Sequence, residues 1–105
     1  MARGVEIVKD EPGGGPEAVR GSRVRIVYTA RLRRGDVFRE NHEVTFQLGG
    51  RDVIAGLEYG VEGMRVGGKR QIRIPPHLGF RERGIPGLVP PNALLLFDVE
   101  LIGVE

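Results

Sequence analysis

Apolar side chains alternate with polar ones along most of this chain, and such alternation predicts β-strands. The clearest case runs from Arg23 to Leu32, where every second residue is apolar: Val24, Ile26, Tyr28, Ala30 and Leu32. A period of two is typical of an antiparallel strand that buries one face and leaves the other in water. We therefore expect a half-buried strand over residues 23–32.

The same period marks the other predicted strands. They are Val5 to Lys9, Val44 to Leu48, Lys69 to Ile74 and Ala93 to Val104, with Val37-Phe38 as a short extended segment after a turn at Arg33 to Asp36. The pattern is lost between Phe38 and Val44, so residues 39–44 are expected to form a loop. Three or four strands would then precede the middle of the chain, and five or six would form the sheet.

One stretch, Asp52 to Val61, has its apolar residues at helical spacing. Ile54, Leu57 and Val61 lie three and four residues apart, so they would share one face of an α-helix. Each glycine inside the stretch costs about 1 kcal/mol relative to alanine, so the helix needs a sheet to pack on. The chain is therefore predicted to be an α+β protein, an antiparallel meander crossed by one short helix.

Composition limits the class of protein. At 105 residues the chain has the size of one domain, and we expect residues 1–105 to form a single domain. The absence of cysteine excludes disulfides and thiolate sites. No apolar run of signal-peptide or membrane-spanning length is present, so we expect a cytoplasmic protein without membrane association.

The charge is close to balanced, with 16 basic and 14 acidic residues. Arginines along Arg23 to Arg34 leave nucleic-acid binding as an alternative, which would show as steeply salt-dependent binding. The arginines are dispersed along the whole chain rather than gathered in a patch. We therefore expect no nucleic-acid partner.

Two segments rich in glycine and proline interrupt the pattern. Asp10 to Pro16 is expected to be a flexible surface loop. Pro75 to Asn92 has 18 residues and five prolines, longer than most loops of compact domains. It also contains Leu78, Phe80, Ile85, Leu88 and Val89. Since disordered linkers are poor in such residues, we predict an ordered flap over an apolar surface.

Residues capable of acid–base, nucleophilic or metal chemistry form no recognisable site. His42 and His77 are the two histidines, neither has metal-ligand spacing, and both are expected at the surface. Ser22 lacks the context of a hydrolase nucleophile, and the scattered carboxylates are interpreted as solvated charges or local caps. Gly63 to Lys69 has the spacing of a phosphate-binding loop, but it runs from helix to strand and Arg70 replaces the required Ser or Thr. We predict a turn there, and no metal or other cofactor.

An apolar site is the remaining candidate. Its members would come from strands, helix start and flap: Tyr28, Phe38, Phe46, Val53, Ile54, Leu57, Phe80 and Phe97. Composition does not distinguish a pocket from a core, and a core is the simpler interpretation.

Several short motifs stand in a fixed order along nearly the whole chain. They are Val27-Tyr28-Thr29, Gly35 to Phe38, Phe46 to Gly49, Val53 to Glu58, Gly60-Val61, Met64 to Gly67, Gly84 to Asn92 and Leu96 to Leu101. In this order and spacing they resemble the FK506-binding-protein (FKBP) type of peptidyl-prolyl cis–trans isomerase. The resemblance implies a twisted antiparallel half-barrel of five or six strands wrapped around one short α-helix, with an apolar pocket between helix and sheet.

The resemblance also implies roles for individual side chains. The catalytic residues would be Tyr28, Phe38, Ile54, Leu57, Phe80 and Phe97, and the substrate-binding residues Phe46, Val53, Ile85 and Leu88. Leu57 would form the floor under the proline ring, and the backbone N–H of Ile54 would bind a substrate carbonyl. Rotation about an X–Pro amide, with an uncatalysed barrier of about 20 kcal/mol, needs no acid, base or metal. The lack of nucleophiles fits this function.

Two positions depart from the family pattern. Arg39 stands where an aspartate is usual, and Phe80 stands where a tyrosine commonly donates a hydrogen bond to the ligand. We therefore expect reduced affinity for macrolides of the FK506 and rapamycin type, with isomerase activity retained. The expected partners are proline-containing peptides and client proteins, bound by a monomer. A non-catalytic module that holds proline segments in the same pocket remains the alternative.

Overall fold

The computed structural model describes residues 4–105, and in them the chain forms five β-strands and one α-helix. These are β1 (Glu6–Glu11), β2 (Arg23–Leu32), β3 (Val37–Gln47), α1 (Ala55–Val61), β4 (Lys69–Ile74) and β5 (Leu95–Val104), with a single 3-10 turn at Pro76–Leu78. The sheet has the order β1-β4-β5-β2-β3, and every neighbouring pair is antiparallel. The predicted α+β fold, one antiparallel sheet with one short helix, is confirmed.

The predicted strand over residues 23–32 has the predicted bounds, but the loop predicted over residues 39–44 is wrong. Those residues belong to β3, which runs without interruption from Val37 to Gln47. The pairing of β3 with β2 shifts register on both sides of Ala30, and Asn41 has a φ of 46°. Each bulge adds a residue to one strand and so breaks the alternation by which a strand is recognised in sequence.

Helix α1 is shorter than the predicted stretch, because residues before Ala55 are not helical. Ile54 has an extended ψ of 146° and caps the helix, and its carbonyl accepts hydrogen bonds from the N–H groups of Leu57 and Glu58. Leu57 and Val61 face the core, as predicted from their spacing.

Two glycines let the helix lie directly against β4. A Cβ atom at Gly56 would lie 2.4 Å from Cγ2 of Ile74, and one at Gly60 would lie 2.4 Å from Cδ1 of Ile72. Both isoleucines are fully buried. The glycines that cost intrinsic helix stability thus permit the packing that holds the helix in place.

The helix is also tied to the sheet by Arg70 of β4. Its Nη1 donates to the carbonyls of Gly60 and Glu62, at 3.0 and 3.1 Å. Its Nε lies 3.1 Å from Oδ1 of Asp10 on β1. A cation near the last carbonyls of a helix is favourable. The residue that ruled out a phosphate-binding loop therefore joins α1, β4 and β1.

The inner face of the sheet forms the core, and its outer face carries ion pairs. The buried sheet residues are Val24, Ile26, Ala30, Phe46, Ile72, Ile74, Leu95, Phe97, Val99 and Leu101. On β2, Arg31 pairs with Asp98 at 2.8 Å, Arg25 with Glu43 at 3.8 Å and Arg23 with Glu105 at 3.8 Å. The positive charge of this arginine-rich strand is thus balanced locally.

The glycine-rich segment after β1 is packed, which corrects the expectation that it is a flexible loop. A Cβ atom at Gly13 would lie 2.2 Å from the carbonyl oxygen of Val66. The N–H of Gly15 donates to that same carbonyl at 3.1 Å. Glycine is needed at position 13 because another backbone approaches so closely.

Candidate functional site

Four aromatic rings from separate parts of the chain meet on the inner side of the sheet. Tyr28 of β2 lies 5.0 Å from Phe97 of β5, measured between ring centroids. Phe38 of β3 lies 6.5 Å from Phe97 and 6.5 Å from Phe80 of the flap, each pair nearly perpendicular. These distances and angles are favourable for aromatic pairs. We call these four residues the aromatic wall.

The start of α1 supplies the aliphatic part of the candidate site. Leu57 is 2% exposed and belongs to the same core cluster as Phe97, and Val53 and Ile54 are partly exposed and pack against that cluster. Within residues 4–105, the backbone N–H of Ile54 donates to no acceptor. A partly exposed apolar residue with an unused backbone donor is available to a ligand that carries both an apolar ring and a carbonyl.

The flap between β4 and β5 is ordered, as predicted. The backbones of Ile85 and Val89 exchange two hydrogen bonds, both of 2.8 Å. Gly84 has a φ of 60°, and a Cβ atom there would lie 2.3 Å from the carbonyl oxygen of Val89. Ile85 packs against the core cluster. The tight turn fixes the flap segment that follows Phe80.

Of the predicted site residues, Leu57, Phe97 and Phe46 are buried, and Leu88 is exposed. Phe46 is 1% exposed and is part of the core, where it pairs across the sheet with Val24. Leu88 is 47% exposed at the tip of the flap. Alternation places Phe46 on the apolar face of its strand but does not distinguish a core position from a pocket wall, and a loop without periodicity does not fix where Leu88 lies.

His42 lies on the inner face, which corrects the expectation that it is a surface histidine. It stands directly opposite Tyr28 in the β2–β3 ladder, and the two ring centroids are 5.4 Å apart. His77 is exposed, as expected. His42 continues the regular inward alternation of Val44 and Phe46, and this is not recognisable in the sequence because a polar side chain does not mark a buried face.

Arg39 is a further polar residue of β3 near Tyr28. It stands opposite Ala30 in the ladder, and Ala30 is fully buried on the inner face. Burial raises the pKa of the Tyr28 phenol, and the positive charge of Arg39 opposes part of that rise. The phenol is therefore neutral near pH 7 and able to donate a hydrogen bond.

The sequence left open whether Glu58 is a solvated charge or a local cap, and it did not identify the groups that Glu58 binds. Among residues 4–105, Glu58 is the one charged residue that is buried, with 8% of its surface exposed. Its Oε2 accepts hydrogen bonds from the backbone N–H groups of Gly49 and Arg51, each 3.2 Å long. It thus acts as a local cap, one of the two functions expected of the carboxylates, and holds the loop that leads to Val53 and Ile54. The available signal was a carboxylate beside the apolar stripe of a short helix.

The remaining chemistry of the described residues is limited. No group of three or more His, Cys, Asp or Glu in residues 4–105 is placed to hold a metal ion. Over the same residues, no helix has both the length and the apolar character needed to cross a bilayer. The arrangement suits binding of an apolar ring beside an amide group.

Comparison with known proteins gives a consistent assignment. The family model described as FKBP-type peptidyl-prolyl cis-trans isomerase matches residues 15–102. The 39 kDa FK506-binding nuclear protein of Drosophila melanogaster is 44% identical over 106 residues, which is 97% of this chain and 30% of that protein. FK506-binding protein 2 of Candida glabrata is 45% identical over 93 residues, covering 84% of this chain and 68% of that protein. The chain thus spans less than a third of the Drosophila relative.

The fold agrees with this assignment. The crystal structure of AtFKBP13 superposes with a TM-score of 0.84 at 35% sequence identity, covering 96% of this chain and 91% of that one. FkpA from Escherichia coli gives a TM-score of 0.80 at 34% identity, covering 96% of this chain and 47% of that one. Both the sequence match and the fold match extend through the aromatic wall and the start of α1. The chain therefore belongs to the family of FKBP-type peptidyl-prolyl cis–trans isomerases.

Proposed function

We propose that this chain accelerates cis–trans isomerisation of X–Pro peptide bonds, and that residues 1–105 act as one isomerase domain. The observation that carries the proposal is the aromatic wall, built from Tyr28, Phe38, Phe80 and Phe97 on the same core as Leu57. Rings from three strands and the flap create an apolar surface of the kind that a proline ring fills. The family assignment supports the same activity.

The chemistry follows from the electronic structure of the amide. Resonance keeps the X–Pro bond planar and places negative charge on its oxygen, which water stabilises. Moving the bond against an apolar wall removes that water, so the planar form loses more stabilisation than the less polar twisted form. The barrier falls without any proton transfer. Phenylalanine and leucine side chains can thus lower a barrier of about 20 kcal/mol.

Each site residue has a specific part in this proposal. Leu57 lies under the proline ring, and the unused N–H of Ile54 binds a carbonyl of the substrate backbone. The Tyr28 phenol, kept neutral by burial, offers a second hydrogen bond. These polar contacts hold the peptide in a turn that favours twisting.

The other residues act at the periphery of the site. Val53 and Ile85 contact the residues that flank the proline, and Leu88 contacts the substrate from the exposed flap tip. Phe46 acts from within the core by supporting the site from below. Val53 and Ile85 are partly exposed and packed against the core, which suits side chains that meet a ligand on one side only.

Two relatives named for FK506 binding support macrolide binding as a further property of this chain. We propose that affinity for FK506 and rapamycin is reduced, because Arg39 and Phe80 supply neither a carboxylate nor a hydroxyl at the edge of the site. We also propose that the protein acts on client proteins as a monomer in the cytoplasm. Light scattering on the purified chain tests the oligomeric state, and a dimer would contradict it.

NMR exchange spectroscopy on short Xaa-Pro-Phe peptides tests the isomerase proposal directly. We expect catalytic amounts of the protein to raise the exchange rate between cis and trans forms. Binding of the peptides without any gain in exchange rate would replace the enzyme with the non-catalytic binding module. Absence of both binding and exchange would overturn the proposal altogether.

A further inference from the structure

Arg39 differs from the neighbouring arginines of the sheet in having no counter-charge. Arg23, Arg25 and Arg31 of β2 each pair with a carboxylate. Among residues 4–105, no carboxylate lies within 4.0 Å of the Arg39 guanidinium, and the adjacent Glu40 forms no ion pair with it. Its positive charge is therefore available to an outside group.

The backbone directs this charge toward the site. Arg39 pairs with the buried Ala30, and the register shift beside it leaves Phe38 as an additional residue of the bulge. The Phe38 ring contacts Phe97 and Phe80 of the aromatic wall. Residues directly opposite each other in an antiparallel pair share a face, so the exposed Arg39 stands on the same side of the sheet as Ala30, next to Phe38. The positive charge of Arg39 also opposes the rise in the Tyr28 pKa that burial causes.

We propose that Arg39 determines substrate specificity by favouring segments that carry an acidic side chain next to the isomerised proline. This inference rests on the proposed isomerase function and assigns it a substrate class. An unpaired guanidinium offers up to five donors to a carboxylate and keeps its charge at all physiological pH values. The half-buried ring of His42, opposite Tyr28, adds a further polar group on the same face.

The test compares peptides that differ only in charge. One pair places Glu or Gln before the proline, and a second pair places them after it. For the wild type we expect kcat/KM for the preferred Glu peptide to exceed that for its Gln partner by about two- to five-fold, the range of one exposed ion pair. The ratio should fall in high salt, because salt screens exposed charges. Dissociation constants of the same peptides are measured by NMR titration.

Two variants with the same charge change complete the design. Arg39→Gln should bring the Glu-to-Gln ratio to about one, while kcat/KM for the Gln peptides stays near the wild-type value. Arg33→Gln changes an exposed arginine of the β2–β3 turn that likewise has no ion pair within residues 4–105, and it should leave the ratio unchanged. A ratio of one in the wild type for both peptide pairs, or a ratio that survives Arg39→Gln, would overturn the inference. If no peptide exchanges faster, the isomerase proposal fails instead, and the ratio of dissociation constants still decides the part played by Arg39.

Discussion

Tyr28 and Phe97 are diagonal neighbours on β2 and β5, and their ring centroids lie 5.0 Å apart. The residue directly opposite Phe97 is Ala30, and the residue opposite Tyr28 is Val99. Because Ala30 carries only a methyl group, the Phe97 ring has room to extend across the ladder toward Tyr28. A small residue on the neighbouring strand thus allows two large ones to form one surface.

Replacing the central ring should impair stability and turnover. Phe97 is 2% exposed and contacts both Tyr28 and Phe38. We expect Phe97→Ala to lower the free energy of unfolding by about 3–5 kcal/mol, as measured by urea denaturation. Phe97→Leu keeps more of the volume and should cost less than about 1.5 kcal/mol, yet still lower kcat/KM because the ring is lost. Wild-type turnover in folded Phe97→Leu would show that the aromatic ring is not required.

Replacing Leu57 should likewise affect both stability and turnover, since its side chain lies on the helix face that packs into the core. We expect Leu57→Ala to cost about 2–5 kcal/mol and to reduce kcat/KM. Val61→Ala, on the same helix face one turn later and also buried, is the matched control: it should lower stability while turnover of the folded protein is kept. Equal losses of turnover in both variants would mean that helix packing, rather than contact with the proline ring, accounts for the effect.

Glu58 should control how well the start of α1 is placed. Both of its hydrogen bonds are accepted by a single carboxylate oxygen, so glutamine can reproduce them with a neutral acceptor. We expect Glu58→Gln to cost about 1–2 kcal/mol and Glu58→Ala to cost more, because alanine leaves two backbone donors without a partner. When exchange rates are measured over a range of peptide concentrations, Glu58→Ala should raise KM more than it lowers kcat. A KM unchanged in Glu58→Ala would show that the loop holds its position without the carboxylate.

Much of this fold could be predicted from alternation alone, because burial on one face of a regular strand leaves a period of two in the sequence. β2 was predicted with its observed bounds, and Ile72 and Ile74 with their inward orientation. β3 could not be predicted in full, because its bulges shift the period and reverse which face each residue takes. His42 was misplaced for a different reason: it continues the inward alternation of Val44 and Phe46, but a polar side chain does not mark a buried face.

The site was less accessible to sequence reasoning than the fold. Alternation showed that Tyr28 and Phe97 face inward, but the contact between Phe38 and Phe80 depends on a flap whose course is set by local turns. Roles for Ile54 and Leu57 came from the family resemblance, not from periodicity. Hydrogen bonds from a helix to the loop before it, such as those of Glu58, leave no periodic pattern, so the anchoring of the loop at residues 49–51 is seen only in three dimensions.

The environment of Tyr28 predicts a loss of stability at alkaline pH. Burial raises the pKa of its phenol above the ordinary value of 10.0, so the unfolded chain releases this proton more readily than the folded one. The contribution is fully present below pH 10 and is lost as pH rises through the folded pKa. Between about pH 9 and pH 11, roughly one unit on either side of the ordinary pKa, we expect the wild type to lose more stability than Tyr28→Phe does. An equal loss in the two proteins would contradict the assignment.

The position of the Arg39 charge can be tested by the same titration. Because Arg39 lowers the pKa that burial raises, Arg39→Gln should move the titration of Tyr28 to higher pH. Tyrosinate absorbance of the variant, compared with that of the wild type and of Tyr28→Phe, measures the shift. Identical curves for wild type and Arg39→Gln would place the guanidinium too far from the phenol to act on it.

The packing of α1 on β4 gives a prediction in which two effects of one methyl group oppose each other. Alanine at position 56 would favour the helix by about 1 kcal/mol over glycine. Its Cβ would, however, lie 2.4 Å from Cγ2 of Ile74 and 3.1 Å from the carbonyl oxygen of Leu78. That Cγ2 is bonded directly to the Cβ of a fully buried side chain, so it cannot move aside without a change of rotamer or of the strand. Overpacking of this kind costs about 1–3 kcal/mol.

We therefore expect Gly56→Ala to be less stable than the wild type, despite the better helix former. Gly14→Ala is the control, because a Cβ there meets no atom within 4 Å and Gly14 has no positive φ. That variant should be neutral or more stable by up to about 1 kcal/mol, since alanine restricts the unfolded chain. Urea denaturation of both proteins measures the difference. If Gly56→Ala is as stable as the wild type or more stable, a Cβ at position 56 must lie farther than 2.4 Å from Cγ2 of Ile74. The close contact between α1 and β4 beneath Leu57 would then be wrong.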